Sequence, residues 1–243
     1  MIVYGINPVL EALRAGRVKE LRVGERGDAR VQQLLTLARE RGVPALRVPA
    51  ESLDRDARRG VHQGVVADVE DSTNHSIAEL IEGAVGTPLI LVLDGIEDPH
   101  NLGAILRTAD AAGVHGVIRQ SRRSASLDGA AAKASAGAVA HVRIAEVVNI
   151  ARAIEELKEA GVWTVGLASE ATMSHTEVDF TVPTALVVGA EGAGLRRLVK
   201  EKCDYLASIP MRGHVESLNV SVATGVVLFE VLRQREVGGT SKA

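Results

Sequence analysis

Short blocks of glycine, proline and polar residues carry the chemistry available to this chain. The apolar run Ala185-Leu186-Val187-Val188 leads into Gly189-Ala190-Glu191-Gly192-Ala193-Gly194. Ser208-Ile209-Pro210-Met211 comes next, then Glu216-Ser217-Leu218-Asn219-Val220-Ser221-Val222-Ala223. Each is a buried-strand pattern running into a turn, or a polar entry into an apolar helix. That pattern sets Glu191, Ser217 and Asn219 at the rim of a sheet, where open α/β proteins bind ligands. An earlier stretch has the same grammar. Leu89-Ile90-Leu91-Val92-Leu93 reads as a strand, Asp94 to His100 as a loop, and Asn101 to Asp110 as a helix.

The glycine-rich turn is not a dinucleotide cradle. G-x-G-x-x-G needs glycine at position 191, and Glu191 stands there. A carboxylate repels a pyrophosphate, but it can face a cation or accept hydrogen bonds from hydroxyls. Asn101 and Arg107 are six residues apart, about 240° around a helix axis, so they do not share a face. Asn101 belongs at or near the helix N-terminus, where it can cap. Arg107, flanked by Ile105, Leu106 and Ala109, is costly in an apolar helix unless it snorkels, pairs or meets a ligand. Two readings stay open: a cap plus an arginine paired with Asp98 or Asp110, or two ligand contacts. Ser217 and Asn219 leave the same choice, capping the uncharged helix after them or leaving its N–H groups to a ligand. Other sites fall away. The histidines lack metal spacing of the H-E-x-x-H kind, Lys133 stands where a nucleophile elbow around Ser135 needs glycine, and there is no Walker A loop.

The elements that must position these residues alternate. After the Asn7-Pro8 helix start, a first segment to about residue 70 alternates short strands and helices. Its strands are expected at 20–23, 46–48 and 64–69. A helix capped by Asp28 should run to Gly42, and another from Glu51 to Arg59. Residues 71–87 are polar and turn-rich, a linker. Beyond them strands are expected near 89–93, 114–118, 139–144, 162–167, 184–188 and 205–209. Helices fit near 101–112, 128–136, 149–160, 195–202 and 217–235, and the tail from Gly238 reads as disordered. Such alternation implies a mostly parallel sheet covered on both faces.

Composition bounds the function. The chain has 243 residues, 46% apolar and 24% charged, which suits one large domain or two modest ones. The N-terminus has no signal-peptide pattern and no apolar stretch is long enough to span a membrane, so neither export nor membrane insertion is expected. The lone Cys203 cannot form an internal disulfide and fits a reducing cytoplasm. The net charge of −3 divides into +4 over residues 1–60 and −7 over the rest. Eleven of the twelve bases in the first segment are arginine, the side chain that grips phosphate bidentately. Two Phe, two Tyr and one Trp are too few for a base-stacking platform. An RNA partner would be read through shape, phosphate and 2′-OH.

Taken together, the blocks closely resemble the SpoU (TrmH-type) family of knotted RNA ribose 2′-O-methyltransferases in the SPOUT superfamily. Tyr4-Gly5-Ile6-Asn7-Pro8-Val9-Leu10-Glu11-Ala12 and Val61-His62-Gln63-Gly64-Val65 resemble the small L30e-like RNA-binding domain of its RlmB-type branch, which methylates guanosine in rRNA. The resemblance implies an L30e-like domain at 1–70, the linker at 71–87, and a parallel-sheet domain at 88–243 whose C-terminal segment threads a trefoil knot. It implies S-adenosylmethionine held by the backbones at Gly189, Ile209 and Leu218, with Asn101, Arg107, Glu191, Ser217 and Asn219 on the family's catalytic motif positions. Ser217 and Asn219 would position Arg107 or the ribose, and Glu191 the loop. No metal is implied. The expected partners are RNA, 23S rRNA first, and a second copy of the chain; DNA and membrane are not expected. Alternatives are a tRNA-directed or antibiotic-resistance methyltransferase, a non-catalytic RNA-binding protein, and a Rossmann oxidoreductase, the last already weakened by Glu191.

Overall fold

The computed structural model describes residues 1–25, 29–57, 60–70 and 74–240, with side chains as far as 237. Its contacts divide the chain into two compact units. One comprises Met1–Ser72, Pro99–Arg107 and Ala125–His141, the other Thr73–Asp98, Thr108–Ser124 and Val142–Ala243.

In the first unit the chain runs through β1 (Ile2–Tyr4), α1 (Ile6–Arg14), β2 (Val18–Val23), α2 (Ala29–Glu40), β3 (Ala45–Arg47), α3 (Ala50–Asp56) and β4 (Val65–Val69). The sheet order is β1-β4-β2-β3, and only the β2–β3 pair is parallel. β1 was not visible as a strand in the sequence. Asn7 does not cap α1; it lies inside the first turn, and Gly5 holds the cap position. The N–H of Ile6 instead donates to Oε1 of Gln63, 3.0 Å away. Val9, Ala12 and Leu13 bury one face of α1, the 3–4 spacing of an amphipathic helix. The expected cap Asp28 and the helix end at Arg59 lie outside the described residues.

The second unit begins with α4 (Ile77–Glu82), capped by Ser76 and Glu79 in a reciprocal box. Ile77 and Leu80 sit in the hydrophobic core, so this part of the presumed linker belongs to the packed body. Then follow β5 (Leu89–Asp94), α5 (Pro99–Ala111), β6 (Gly116–Gln120), α6 (Gly129–Ala134), β7 (Ile144–Val147), α7 (Ile150–Glu159), β8 (Trp163–Leu167), β9 (Met173–Ser174), β10 (Thr184–Gly189), α8 (Arg197–Lys202), β11 (Tyr205–Ser208) and α9 (Val220–Thr240). α6 and the first nine residues of α5 belong to the first unit. There Gly103 lets α5 approach α6; a Cβ on it would fall within 3.0 Å of Ala134 Cβ, Ala131 O and Ser135 N.

Seven strands form one sheet in the order β7-β6-β5-β10-β8-β11-β9, with every pair parallel. All residues of β5 and β10 are buried, as a sheet covered on both faces requires.

Several expectations shift. The strand expected at 139–144 is instead a 3-10 turn at Ala138–Ala140, followed by β7. Gly137, at φ 100°, turns the chain there, and the strand begins only where Ile144 pairs with Val117. β6 runs two residues past its apolar stretch because Arg119 and Gln120 are buried in it. α5 starts at Pro99, two residues early. α9 is not buried all round: Val227, Leu228 and Val231 are buried, while Val222, Val226 and Phe229 are 51%, 39% and 53% exposed. It also continues through Gly238 to Thr240, and the rest of the tail lies outside the described residues.

Candidate active site

The C-terminal ends of β8, β10 and β11 open onto a cleft of about 480 Å³ in the second unit. That lies within the ~300–1,000 Å³ of small-molecule sites. Gly189, Ile209 and Leu218 all line it, as do Glu191, Ser217 and Asn219. Six positions from three separate blocks of sequence thus meet at one place.

The geometry of each loop has a local cause. After β10 the chain doubles back, with Ala190 N donating to Gly194 O (3.1 Å) and Gly194 N to Ala190 O (2.8 Å). Gly189 must be glycine because Gly194 and Leu195 lie against it. The far end of the loop is pinned by Asp94, whose fully buried carboxylate accepts from Arg196 N at 2.9 Å and Arg196 Nε at 2.7 Å, and also from Nη2. This clamp escaped the sequence reading; its one signal was an aspartate closing an otherwise apolar strand.

Asn219 does two jobs. Its Oδ1 accepts from Ser221 N (2.9 Å) and Ser221 Oγ (2.6 Å), which caps α9. Its Nδ2 donates to Glu191 Oε1 at 3.3 Å, joining that cap to the exposed tip of the glycine-rich loop. Of the two readings left open for Asn219, the structure forms the cap, and it adds the tie to Glu191. Ser217 is exposed on the rim.

The lining suits a cationic ligand with hydrogen-bond acceptors. Glu170, Glu191 and Glu216 face a single lysine, Lys200, which pairs with Glu170. The hydrogen bond from Lys200 holds the Glu170 carboxyl below its ordinary range. Among the described residues, the N–H groups of Ile209 and Leu218 have no protein acceptor. Leu167, Ile209, Leu218 and Ala223 add apolar surface. A pyrophosphate fits this charge poorly, whereas a sulfonium nucleoside with an amino acid tail fits it well. The nearby Cys203 is no nucleophile: burial, then the neighbouring Asp204 charge, pushes its thiol up to about 12.

Asn101 and Arg107 are not among the cleft-lining residues. Asn101 is the third residue of α5 rather than its cap, and is buried. Arg107 is exposed. Among the described residues its side chain makes no hydrogen bond or ion pair, so the alternative pairing with Asp98 or Asp110 is not formed. The next residue, Thr108, packs against α9, its Cγ2 lying 3.5 Å from where a Cβ on Gly225 would stand.

A model of the SpoU rRNA methylase family matches residues 88–229, and one of the RNA 2′-O ribose methyltransferase substrate-binding domain matches residues 2–75. The chain belongs to the SpoU rRNA methylase family. Along the whole length the similarity is close. A 23S rRNA (guanosine-2′-O-)-methyltransferase RlmB from Pseudomonas aeruginosa is 50% identical, over 96% of each chain. Among solved structures, the SpoU methyltransferase AviRb from Streptomyces viridochromogenes, in complex with the cofactor AdoMet, superposes with a TM-score of 0.83. It is 28% identical, over 98% of this chain and 91% of that one. An AdoMet-bound rRNA methyltransferase from Sinorhizobium meliloti gives 0.78 at 30% identity, over 96% and 86%.

Proposed function

We propose that this SpoU-family protein transfers a methyl group from S-adenosylmethionine to the ribose 2′-hydroxyl of a guanosine in 23S rRNA. The observation that carries the reading is the meeting of Gly189, Ile209 and Leu218 around one acid-lined cleft, in a chain collinear with an rRNA guanosine methyltransferase over 96% of both lengths. S-adenosylmethionine, when bound, supplies an electrophilic methyl group on a positively charged sulfur.

The chain's own residues then have four tasks. The main chain at Gly189, Ile209 and Leu218 holds the cofactor, and the carboxylates of Glu170, Glu191 and Glu216 favour its positive charge. Asn219 fixes the loop through Glu191, while Ser217 and Asn101 orient the groups around the reacting hydroxyl. Arg107 serves the RNA: its guanidinium stays protonated, so it grips a phosphate and stabilises the developing alkoxide rather than taking the proton. Holding the reacting atoms in attack geometry can supply about 7–11 kcal/mol of the barrier. The trefoil threading of the C-terminal segment is part of the same reading.

Residues 1–70 choose the RNA and residues 88–243 carry the chemistry. The side chains of exposed Arg39, Arg41 and Arg55 have no partner among the described residues and are the phosphate contacts of the first segment. A second copy of the chain covers the exposed stripe Val222, Val226 and Phe229 of α9, which recurs at helical spacing and leaves too much apolar surface for a lone helix. No helix of the described residues is long and apolar enough to cross a membrane, and an rRNA substrate supports a cytoplasmic location.

The test combines calorimetry with S-adenosylmethionine, S-adenosylhomocysteine and NAD, and mapping of the 2′-O-methylated nucleotide in 23S rRNA from cells with and without the gene. NAD binding without S-adenosylmethionine binding, or an unchanged methylation map, refutes the assignment. Light scattering at micromolar concentration should give a dimer.

A further inference from the structure

Besides Arg107, the candidates for RNA contact outside the first segment include Arg122, Arg123, Arg233 and Arg235. The structure removes two. Arg233 is held by both oxygens of Glu230 at 2.7 Å. Arg235 donates to the carbonyls of Phe180, Thr87, Pro88 and Val182 at 2.7–3.2 Å. Arg122 and Arg123 are exposed, and among the described residues neither side chain has a hydrogen-bond or ion-pair partner.

The loop that carries them is built to a fixed shape. Ser121 N donates to Val147 O at 2.9 Å, closing its start. At its end Ser124 Oγ donates to Gln120 O (2.6 Å) and accepts from Nη2 of buried Arg119 (2.6 Å). Arg119 also pairs with Glu146 of β7 at 3.5 Å, which occupies the carboxylate of the adjacent strand. Between these ties Arg123 sits at φ 54°, a left-handed backbone that a non-glycine residue keeps only where its surroundings impose it.

The place matters as much as the shape. β6 is parallel to β5 and β10, so this loop leaves the same edge of the sheet as the cleft. Arg119 pairs with Leu93, and Leu93 with Val188 beside Gly189. Two strand spacings put the root of the loop about 10 Å from the cleft wall.

We propose that Arg122 and Arg123 form a clamp for phosphodiester groups of the RNA, positioning the nucleotides next to the one that is methylated. The inference rests on the RNA methyltransferase reading and adds to it a contact in the catalytic unit itself. Two solvent-facing guanidinium groups on a fixed loop suit phosphate bidentately, and they read no base. The clamp therefore contributes affinity and register, while target choice stays elsewhere.

The experiment uses the full chain with a 23S rRNA transcript, comparing wild type, Arg122→Ala/Arg123→Ala and Arg122→Lys/Arg123→Lys. Loss of two phosphate contacts should lower the log–log salt slope of binding by about 1.4 on single strands to 1.8 on duplex. Between 1 M and 0.1 M salt that amounts to about 25- to 60-fold in affinity. KM for RNA should rise with kcat little changed and S-adenosylmethionine affinity unaltered; the lysine variant should recover the slope. Wild-type RNA affinity and slope in the alanine variant overturn the clamp, as does a lysine variant as defective as the alanine one. Absence of methyl transfer by the wild type itself overturns the proposed function instead, and the salt slopes still decide the clamp.

Discussion

Replacing Gly189 by alanine adds one methyl group at the point where the glycine-rich loop folds back onto β10. That Cβ would stand closer than 3.0 Å to Gly194 C, Gly194 O and Leu195 N, against an optimum of about 3.5–4.0 Å for such pairs. All three are main-chain atoms, and the loop is fastened on both sides, by the Ala190–Gly194 pair and by the Asp94–Arg196 clamp. No flexible side chain can yield. Overpacking costs about 1–3 kcal/mol, and rigid neighbours put this site near 3. At about 2–4 °C per kcal/mol for a chain of this size, melting should fall by roughly 6–12 °C. Calorimetry should show S-adenosylmethionine affinity reduced at least tenfold, about 1.4 kcal/mol. Gly192→Ala is the control. Its Cβ meets nothing within 4 Å, and its φ of 76° confines the cost to left-handed strain, about 1–2 kcal/mol. A Gly189→Ala protein that melts with the wild type and binds the cofactor normally would show that the close approach has no energetic consequence. A larger loss at Gly192 than at Gly189 would refute the steric argument equally.

Arg107→Ala should abolish tritiated methyl incorporation into rRNA while calorimetric S-adenosylmethionine affinity stays within about twofold, because the guanidinium lies outside the cleft lining; near-normal turnover would remove Arg107 from the chemistry. Asn219→Ala loses the α9 cap and the tie to Glu191, so melting should drop by the equivalent of about 1 kcal/mol and cofactor affinity should fall with it. A stability loss with no change in affinity would reduce Asn219 to a cap. The hydrogen bond from Arg233, reinforced by Gln234, holds the Glu230 carboxyl down to about 2 from its ordinary 4.5. A lowered carboxylate contributes stability that is complete above pH 4.5 and is lost as pH falls toward 2. Glu230→Gln should therefore flatten the melting-temperature profile across that window, and a profile parallel to wild type would contradict the pairing.

Much of the second unit was legible because its signals are local. β5 and β10 are unbroken apolar runs ending at glycine or aspartate, and α7 repeats Ile150, Ala153, Ile154 and Leu157 at helical spacing. The strand–helix alternation then dictates a parallel sheet. The misplaced elements have specific causes. Val139, Val142 and Ile144 mimic a strand, but Gly137 turns the chain and of the three only Ile144 pairs in the sheet. The sequence places β6 two residues early, at 114–118 rather than Gly116–Gln120, because Arg119 and Gln120 interrupt the apolar run. Buried Arg119 is satisfied by Ser124 and Glu146, which are partners no periodicity announces. α4 reads as part of a linker because it is a short helix between polar, turn-rich flanks, yet Ile77 and Leu80 are buried and Ile81 packs beside them.

The site divides along the same line. Gly189, Ile209 and Leu218 were marked by turn chemistry that any strand-end loop displays, and the motif resemblance singled them out from other such turns. What no local pattern contains is the way they are held. Asp94 reaches Arg196 across 102 positions and Asn219 reaches Glu191 across 28, so both braces exist only after β10 has been inserted between β5 and β8. The proposed cofactor cleft is therefore a property of the sheet order, whereas Arg107 is a property of one helix, exposed and with no side-chain partner among the described residues. On the proposed reading, an open, braced cleft lined by carboxylates suits a cation held by backbone, and an exposed arginine suits a phosphate. That contrast is why Gly189→Ala should act on cofactor binding and Arg107→Ala on turnover. A variant pair that instead changed both quantities together would mean the two halves of the site are not separable.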